Sequence, residues 1–170
     1  EYLILKVLPT LLLSTITCVF SAPSLYADNV TPKAVIENYA NLVHAEFSDT
    51  LAAAKNLQTK VDEFIAKPSE ATHTAAKQAW LAARVPYSQT EVFRFGNPNV
   101  DEWEGGINAW PLDEGLIDYV KSDAYEHEEG NKFATANIIS GTEPITAELL
   151  TSYQEKGGSE ANVATGYHAV

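Results

Sequence analysis

The sequence has no methionine, and its one cysteine is Cys18. A disulfide framework needs a pair, so none is expected, and a single sulfur cannot build a thiolate metal site. Beyond residue 18 there is no cysteine to act as a nucleophile. Bases are scarce: 11 lysines and arginines stand against 23 acids, for a formal net charge of −12. A surface this acidic repels nucleic acid and anionic lipid, so neither is an expected partner. It suits cations, and it equally suits plain solubility. There is no glycine-rich phosphate loop, no G-x-S-x-G elbow and no H-E-x-x-H, since His127-Glu128 is followed by Gly130 and Asn131.

Long apolar runs are also missing, with one exception. Val7 to Phe20 carries no charge, follows the lone base Lys6, and leads to Leu25-Tyr26-Ala27 with a small residue at its end. The run is short for a membrane-spanning helix and reads as a secretory signal over residues 1–27, cleaved after Ala27. An uncleaved anchor is the alternative. Lipidation at Cys18 would call for Leu three residues earlier and Gly or Ala just before, where Thr15 and Thr17 stand. Glu1 and Lys6 cancel, so residues 28–170 keep the full negative charge. The chain opens on Glu1, and Gly166 to Val170 reads as a helix without cap or breaker. The expectation is a domain over 28–170 that is truncated on its C-terminal side.

What is present is helical periodicity. Thr31-Pro32 is a helix start, with Thr as N-cap and Pro at the first position. Ile36, Ala40, Val43, Phe47, Thr50, Ala54, Leu57, Val61 and Phe64 then step by alternating fours and threes, with Tyr39, Leu42, Leu51 and Ile65 widening the stripe. A helix over 32–67 would be about 54 Å long at ~1.5 Å per residue. Ser69 caps a second helix running to about Phe95, kinked at Pro86. Gly96 to Asn99 breaks it, and Val100 to Pro111 reads as loop. A short helix follows over Asp113 to Val120, then an acidic surface loop over Ser122 to Asn131. Another helix covers Thr146 to Glu155, and a last one is capped by Ser159. No strand pattern or internal repeat is evident, so the fold class is all-α, an up-and-down helical bundle.

Residues 80–120 hold all three tryptophans, Trp80, Trp103 and Trp110, interleaved with Arg84, Tyr87, Glu91, Arg94, Asp101, Glu102, Glu104 and Asp113. Core packing does not need so many charges, and a solvated loop does not need three tryptophans. The mixture points to a polar site walled by aromatic rings. Trp80, Arg84, Tyr87, Glu91 and Arg94 share one face of the second helix. Two readings stay open: a salt-bridge ladder that fixes the bundle to the following loop, and a cleft shared by Glu91 and the acidic residues beyond it.

His168 is the other candidate. Gly166 and His168 open a G-x-H-x-x pattern, and an acid at the next position after Val170 would stand one helical turn from the imidazole, able to share a metal ion. Alternatively His168 is a packing histidine that is simply hydrogen-bonded. His44, His73 and His127 are weaker candidates.

The runs ARVPYSQTEVFRFGNP, WEGGINAWPLDEGLIDYV and GYHA resemble the imelysin-like family of bacterial envelope proteins. These include the peptidase imelysin and iron-regulated periplasmic proteins. The likeness covers about residues 31–170, the front half of such a domain. It implies a helical fold of two bundle-like halves, placed in the periplasm or cell envelope, and partnership with envelope iron-uptake components. The family motif is G-x-H-x-x-E, matched here by Gly166 and His168. The resemblance implies His168 as a metal ligand, with iron, divalent or ferric, or zinc as the metal. Gly166, Trp80, Arg84, Tyr87, Glu91, Arg94, Asp101, Trp103, Trp110 and Asp113 are the candidate cleft residues. Metallopeptidase activity is the alternative that the family name carries, although a catalytic zinc takes three protein ligands, an open position and a general base. A non-catalytic envelope scaffold is the third reading.

Overall fold

The computed structural model describes residues 30–121 and 124–170. The expected signal segment, its cleavage site and Cys18 lie outside these. Thr31 Oγ1 accepts a hydrogen bond from the Ala34 amide at 3.1 Å, and Pro32 begins helix α1, Pro32–Ala66. The seam residues from Val43 to Phe64 are all partly buried, whereas Ile36, Tyr39, Leu42, Leu51 and Ile65 remain exposed. The buried stripe is therefore the narrow seam and not the wider band that the sequence suggests.

Ser69 and Thr72 form a reciprocal capping box, 3.2 Å and 3.0 Å, at the start of α2, Glu70–Gln89. So short a connection folds α2 back along α1. Phe64 meets His73 at the closed end, ring centroids 5.2 Å apart, and Tyr39 meets Phe93 at the open end, 5.4 Å. Ala76, Ala79 and Ala83 are the buried face of α2. Small side chains there let the backbones approach. The helix passes through Pro86, which has no N–H for the carbonyl of Ala82. It ends at Gln89, not near Phe95, and tightens into a 3₁₀ turn over Thr90–Phe93.

Three expectations about the rest are corrected. Val100 to Pro111 is not a loop, because α3 spans Pro98–Asn108. The Asn97-Pro98 pair is a helix start: Gly96 turns the chain at φ +65°, Asn97 accepts from the Asn99 amide at 3.2 Å, and Pro98 takes the first position. Asp113 to Val120 is reduced to a single 3₁₀ turn, Glu114–Leu116. Ser159 starts no helix, and the stretch to Val170 is irregular. Asn162, Val163 and Ala164 are buried in succession, which no amphipathic helix allows, so the segment threads between neighbours as extended chain and turns. Helix α4, Ala147–Tyr153, is capped by Thr146 as expected.

The fold is all-α, with four α-helices and no strand among the described residues. The α1–α2 hairpin carries one core around Ala83, Tyr87 and Tyr167. A second core, of Leu116, Ile138 and Ala164 against Phe133, Leu149, Leu150 and Tyr153, holds the loop-rich half together. No helix among the described residues is long and apolar enough to cross a membrane.

Candidate functional site

The three stretches singled out in the sequence meet at Gly166-Tyr167-His168. Gly166 sits at φ +83°, and a Cβ there would overlap the carbonyl carbon and oxygen of Ile107 and the carbonyl oxygen of Gly106. Only glycine lets the strand of chain lie this close to the end of α3. The Tyr167 amide donates to the Ile107 carbonyl at 2.8 Å, and Trp80 Nε1–H donates to the Tyr167 carbonyl at 2.8 Å. The Tyr167 ring packs 5.0 Å from Tyr87 and edge-on to Trp80. The motif is thereby pinned between α2 and α3 before His168 is reached.

Gln154 fixes the approach to the motif. Its Oε1 accepts from the amides of Ala164 at 2.9 Å and Thr165 at 3.2 Å, and its Nε2 donates to the Gly105 carbonyl at 3.0 Å. Asn162, fully buried, exchanges amide hydrogen bonds with Asn131 at 2.8 Å and 3.0 Å. Asn131 Nδ2 also donates to Asp113 at 2.6 Å, and the Tyr125 hydroxyl donates to the other Asp113 oxygen at 3.2 Å. Asp113 is 6% exposed, and its carboxylate is thus engaged in a latch between loops. Burial pushes the Tyr125 hydroxyl above its ordinary range. Glycine spacing in G-x-H could be read from the sequence. Gln154, Asn131 and Asn162 carried no signal there, because their partners are backbone atoms or residues far away in the chain.

His168 is half-buried, its ring 4.9 Å from Trp110, which is itself 68% exposed. Burial, and then the charge of Arg84, lower the imidazole's proton affinity below its usual value near 6.5. The ring is therefore neutral at pH 7, with one nitrogen free to accept or ligate. The unfolded chain protonates first on acidification, so stability contributed by neutral His168 is full above pH 6.5 and declines below it toward the depressed folded value. Denaturant titrations of wild type and His168→Asn between pH 5 and 7.5 should show a steeper acid loss in wild type. Parallel curves would remove the burial argument.

The five residues expected on one face of the second helix divide into two environments, Glu91 and Arg94 lying beyond α2. Arg84 is half-buried, its guanidinium 5.0 Å from the Tyr167 ring, 5.5 Å from Tyr87 and 5.8 Å from Trp80, and it donates to Asn108 Oδ1. Among the described residues it has no carboxylate partner. Arg94 is 9% exposed, bonded to Glu104 and to the Tyr87 hydroxyl at 3.2 Å, with Glu91 at 3.9 Å. Burial raises the Tyr87 hydroxyl, against the opposing pull of Arg94. Glu91 is itself 68% exposed at its side chain and pairs only with Arg94 among the described residues, so a salt-bridge ladder running along the face from Arg84 is not the arrangement found. Glu104, on α3, is the buried arginine's principal partner. Glu91, Arg94, Asp101 and Glu104 rim a small cavity of roughly 210 Å³ with Phe95 and Gly96. Trp103 is exposed and touches Phe47 edge-on. Trp80 also walls an apolar cavity of roughly 560 Å³ between α1 and α2, with Leu57, Phe64, Leu81 and Val170.

Among the described residues, no three His, Cys, Asp or Glu side chains converge as a metal-ligand set. Among these residues the junction offers one neutral imidazole, one guanidinium without a carboxylate partner and a wall of aromatic rings.

The sequence model of the imelysin family, peptidase M75, matches residues 43–170. Iron-regulated protein A of Synechococcus elongatus is 28% identical over 111 residues, which is 63% of this chain and 31% of that protein. The chain thus spans about a third of the length of the curated relative it matches. The α2 face, α3 and the Gly166–His168 loop all fall inside the family match, which covers well over half of the sequence: the chain belongs to the imelysin family.

Proposed function

We propose that this chain carries the histidine side of a binding site for a metal ion or small ligand, in an envelope protein serving iron uptake or homeostasis. The observation that supports it most is the placement of His168. A glycine with no room for a Cβ, a clamped backbone and a tilted tryptophan ring 4.9 Å away hold a neutral imidazole at the rim of an aromatic junction. Imidazole is a suitable donor for iron or zinc. Arg84 beside it opposes a bare cation, and His168 is one donor only, so further donors come from the ligand or from residues outside this junction. The iron reading draws on the name of the Synechococcus relative. The envelope reading draws on the apolar run over residues 7–20 and on the family resemblance. Peptidase activity is the second reading, and the family's designation is what supports it.

Calorimetric titration of the full-length protein with ferrous, ferric and zinc ions tests the proposal. His168→Ala should lose at least ten-fold in affinity, about 1.4 kcal/mol. Identical isotherms with a lowered melting temperature would assign His168 to packing. Peptide cleavage by wild type but not by His168→Ala, without ion binding, would put the peptidase in its place.

A further inference from the structure

We propose that Arg84 anchors a binding site for the carboxylate group of a small anionic ligand, beside His168. The site shares its place with the reading above but needs no metal.

The argument begins with the contrast between the two arginines of α2 and its 3₁₀ extension. Arg94 is neutralised by Glu104, with Glu91 at 3.9 Å, and its Nη1 also donates to the Tyr87 hydroxyl. Arg84 has Asn108 as its hydrogen-bond partner and three aromatic rings within 5.0–5.8 Å. The chain has 23 acids and 11 bases, so a carboxylate partner was easy to supply. A guanidinium has five N–H donors, and the Asn108 bond uses one. The rings around it replace part of its hydration without neutralising its charge. A planar cation that is half-buried, with no carboxylate partner among the described residues, is prepared for an anion that those residues do not supply. Its flat two-donor edge matches a carboxylate, which accepts two parallel hydrogen bonds.

The surroundings fit the same ligand. His168 is adjacent and Trp110, largely exposed, forms an open apolar wall against it. The small carboxylate-bearing molecule would meet Arg84 with its charge and Trp110 with its body. A bulk surface of net charge −12 discourages such an anion elsewhere, so recognition depends on this one cation.

The test uses metal-free full-length protein titrated calorimetrically with citrate, with inorganic phosphate and zinc sulfate as separate arms. Citrate should bind, and both Arg84→Gln and Arg84→Lys should weaken it at least ten-fold, because lysine keeps the charge but loses the two-donor fork. Glu91→Gln, which touches Arg94 at the surface, should leave citrate affinity unchanged. If Arg84→Gln fails to fold, Arg84→Lys still decides the matter. The proposal is overturned if wild type takes no citrate, if Arg84→Lys binds citrate as wild type does, or if phosphate binds as tightly as citrate. Citrate binding together with unchanged ion isotherms in His168→Ala would sink the metal reading and leave this one standing.

Discussion

Replacing Gly166 with alanine will destabilise the protein by about 2–4 kcal/mol, combining left-handed backbone strain with overpacking. The residue sits at φ +83°, and the added Cβ would run into the backbone of Gly106 and Ile107. Backbone atoms cannot rotate aside as a flexible side chain can. The loop must lift from α3, which breaks the Tyr167–Ile107 hydrogen bond and frees Trp80 from the Tyr167 carbonyl. Urea unfolding of the full-length protein should show a lower midpoint. Any binding that depends on His168 should fall with it, because the histidine is two residues along the same lifted segment. A stability change within about 0.5 kcal/mol, the ordinary range for surface positions, would mean that the loop is not clamped as described.

Glu104→Gln should cost about 3 kcal/mol, because it leaves Arg94 buried without its main counter-charge. Arg94 is 9% exposed, its Nε already lacks a partner, and the remaining acid, Glu91, is 3.9 Å away and largely in solvent. Glu91→Gln is the matched control. Its carboxylate is 3.9 Å from Arg94 and largely in solvent, so the change should stay within about 1 kcal/mol. The two variants differ in one pair of atoms on neighbouring elements, and chemical denaturation separates them directly. Equal effects would show that Arg94 draws evenly on both acids.

That pair also illustrates how far the chain could be read before folding. Helical spacing placed Arg94 and Glu91 on one face, and they are within ion-pair range. Spacing could not show that α3 would return Glu104 to the same arginine, since that depends on the turn at Gly96 and on a helix that looked like a loop. Two adjacent glycines, Gly105 and Gly106, and a dense mixture of acids and tryptophan hid α3 from any periodic pattern. By contrast α1, α2 and α4 announced themselves through the caps Thr31, Ser69 and Thr146, whose side chains accept from the expected amides. Caps are local chemistry and need no tertiary context.

The final segment failed in the opposite direction. Ser159 followed by Glu160 looked like a helix start, yet the residues after it are buried one after another instead of on one face. Long-range partners decide there: Gln154, the Glu155 amide and the end of α3 take up backbone groups that a helix would have satisfied internally. One consequence bears on the site. Gly166 and His168 lie on a bend and turn at the end of an irregular segment. Their closeness to Trp80, Arg84 and Trp110 was not legible at all, as it joins segments more than 50 positions apart.

The most direct test of the central claim is to watch the His168 imidazole itself while ligand is added. Of the four histidines of the sequence, His44, His73 and His127 lie outside the junction. Histidine side-chain NMR of the full-length protein, with His168 assigned by His168→Asn, should show its resonances moving on titration with zinc. The other three should stay in place. Binding of zinc that leaves the His168 signals unmoved, or moves all four alike, would contradict the site.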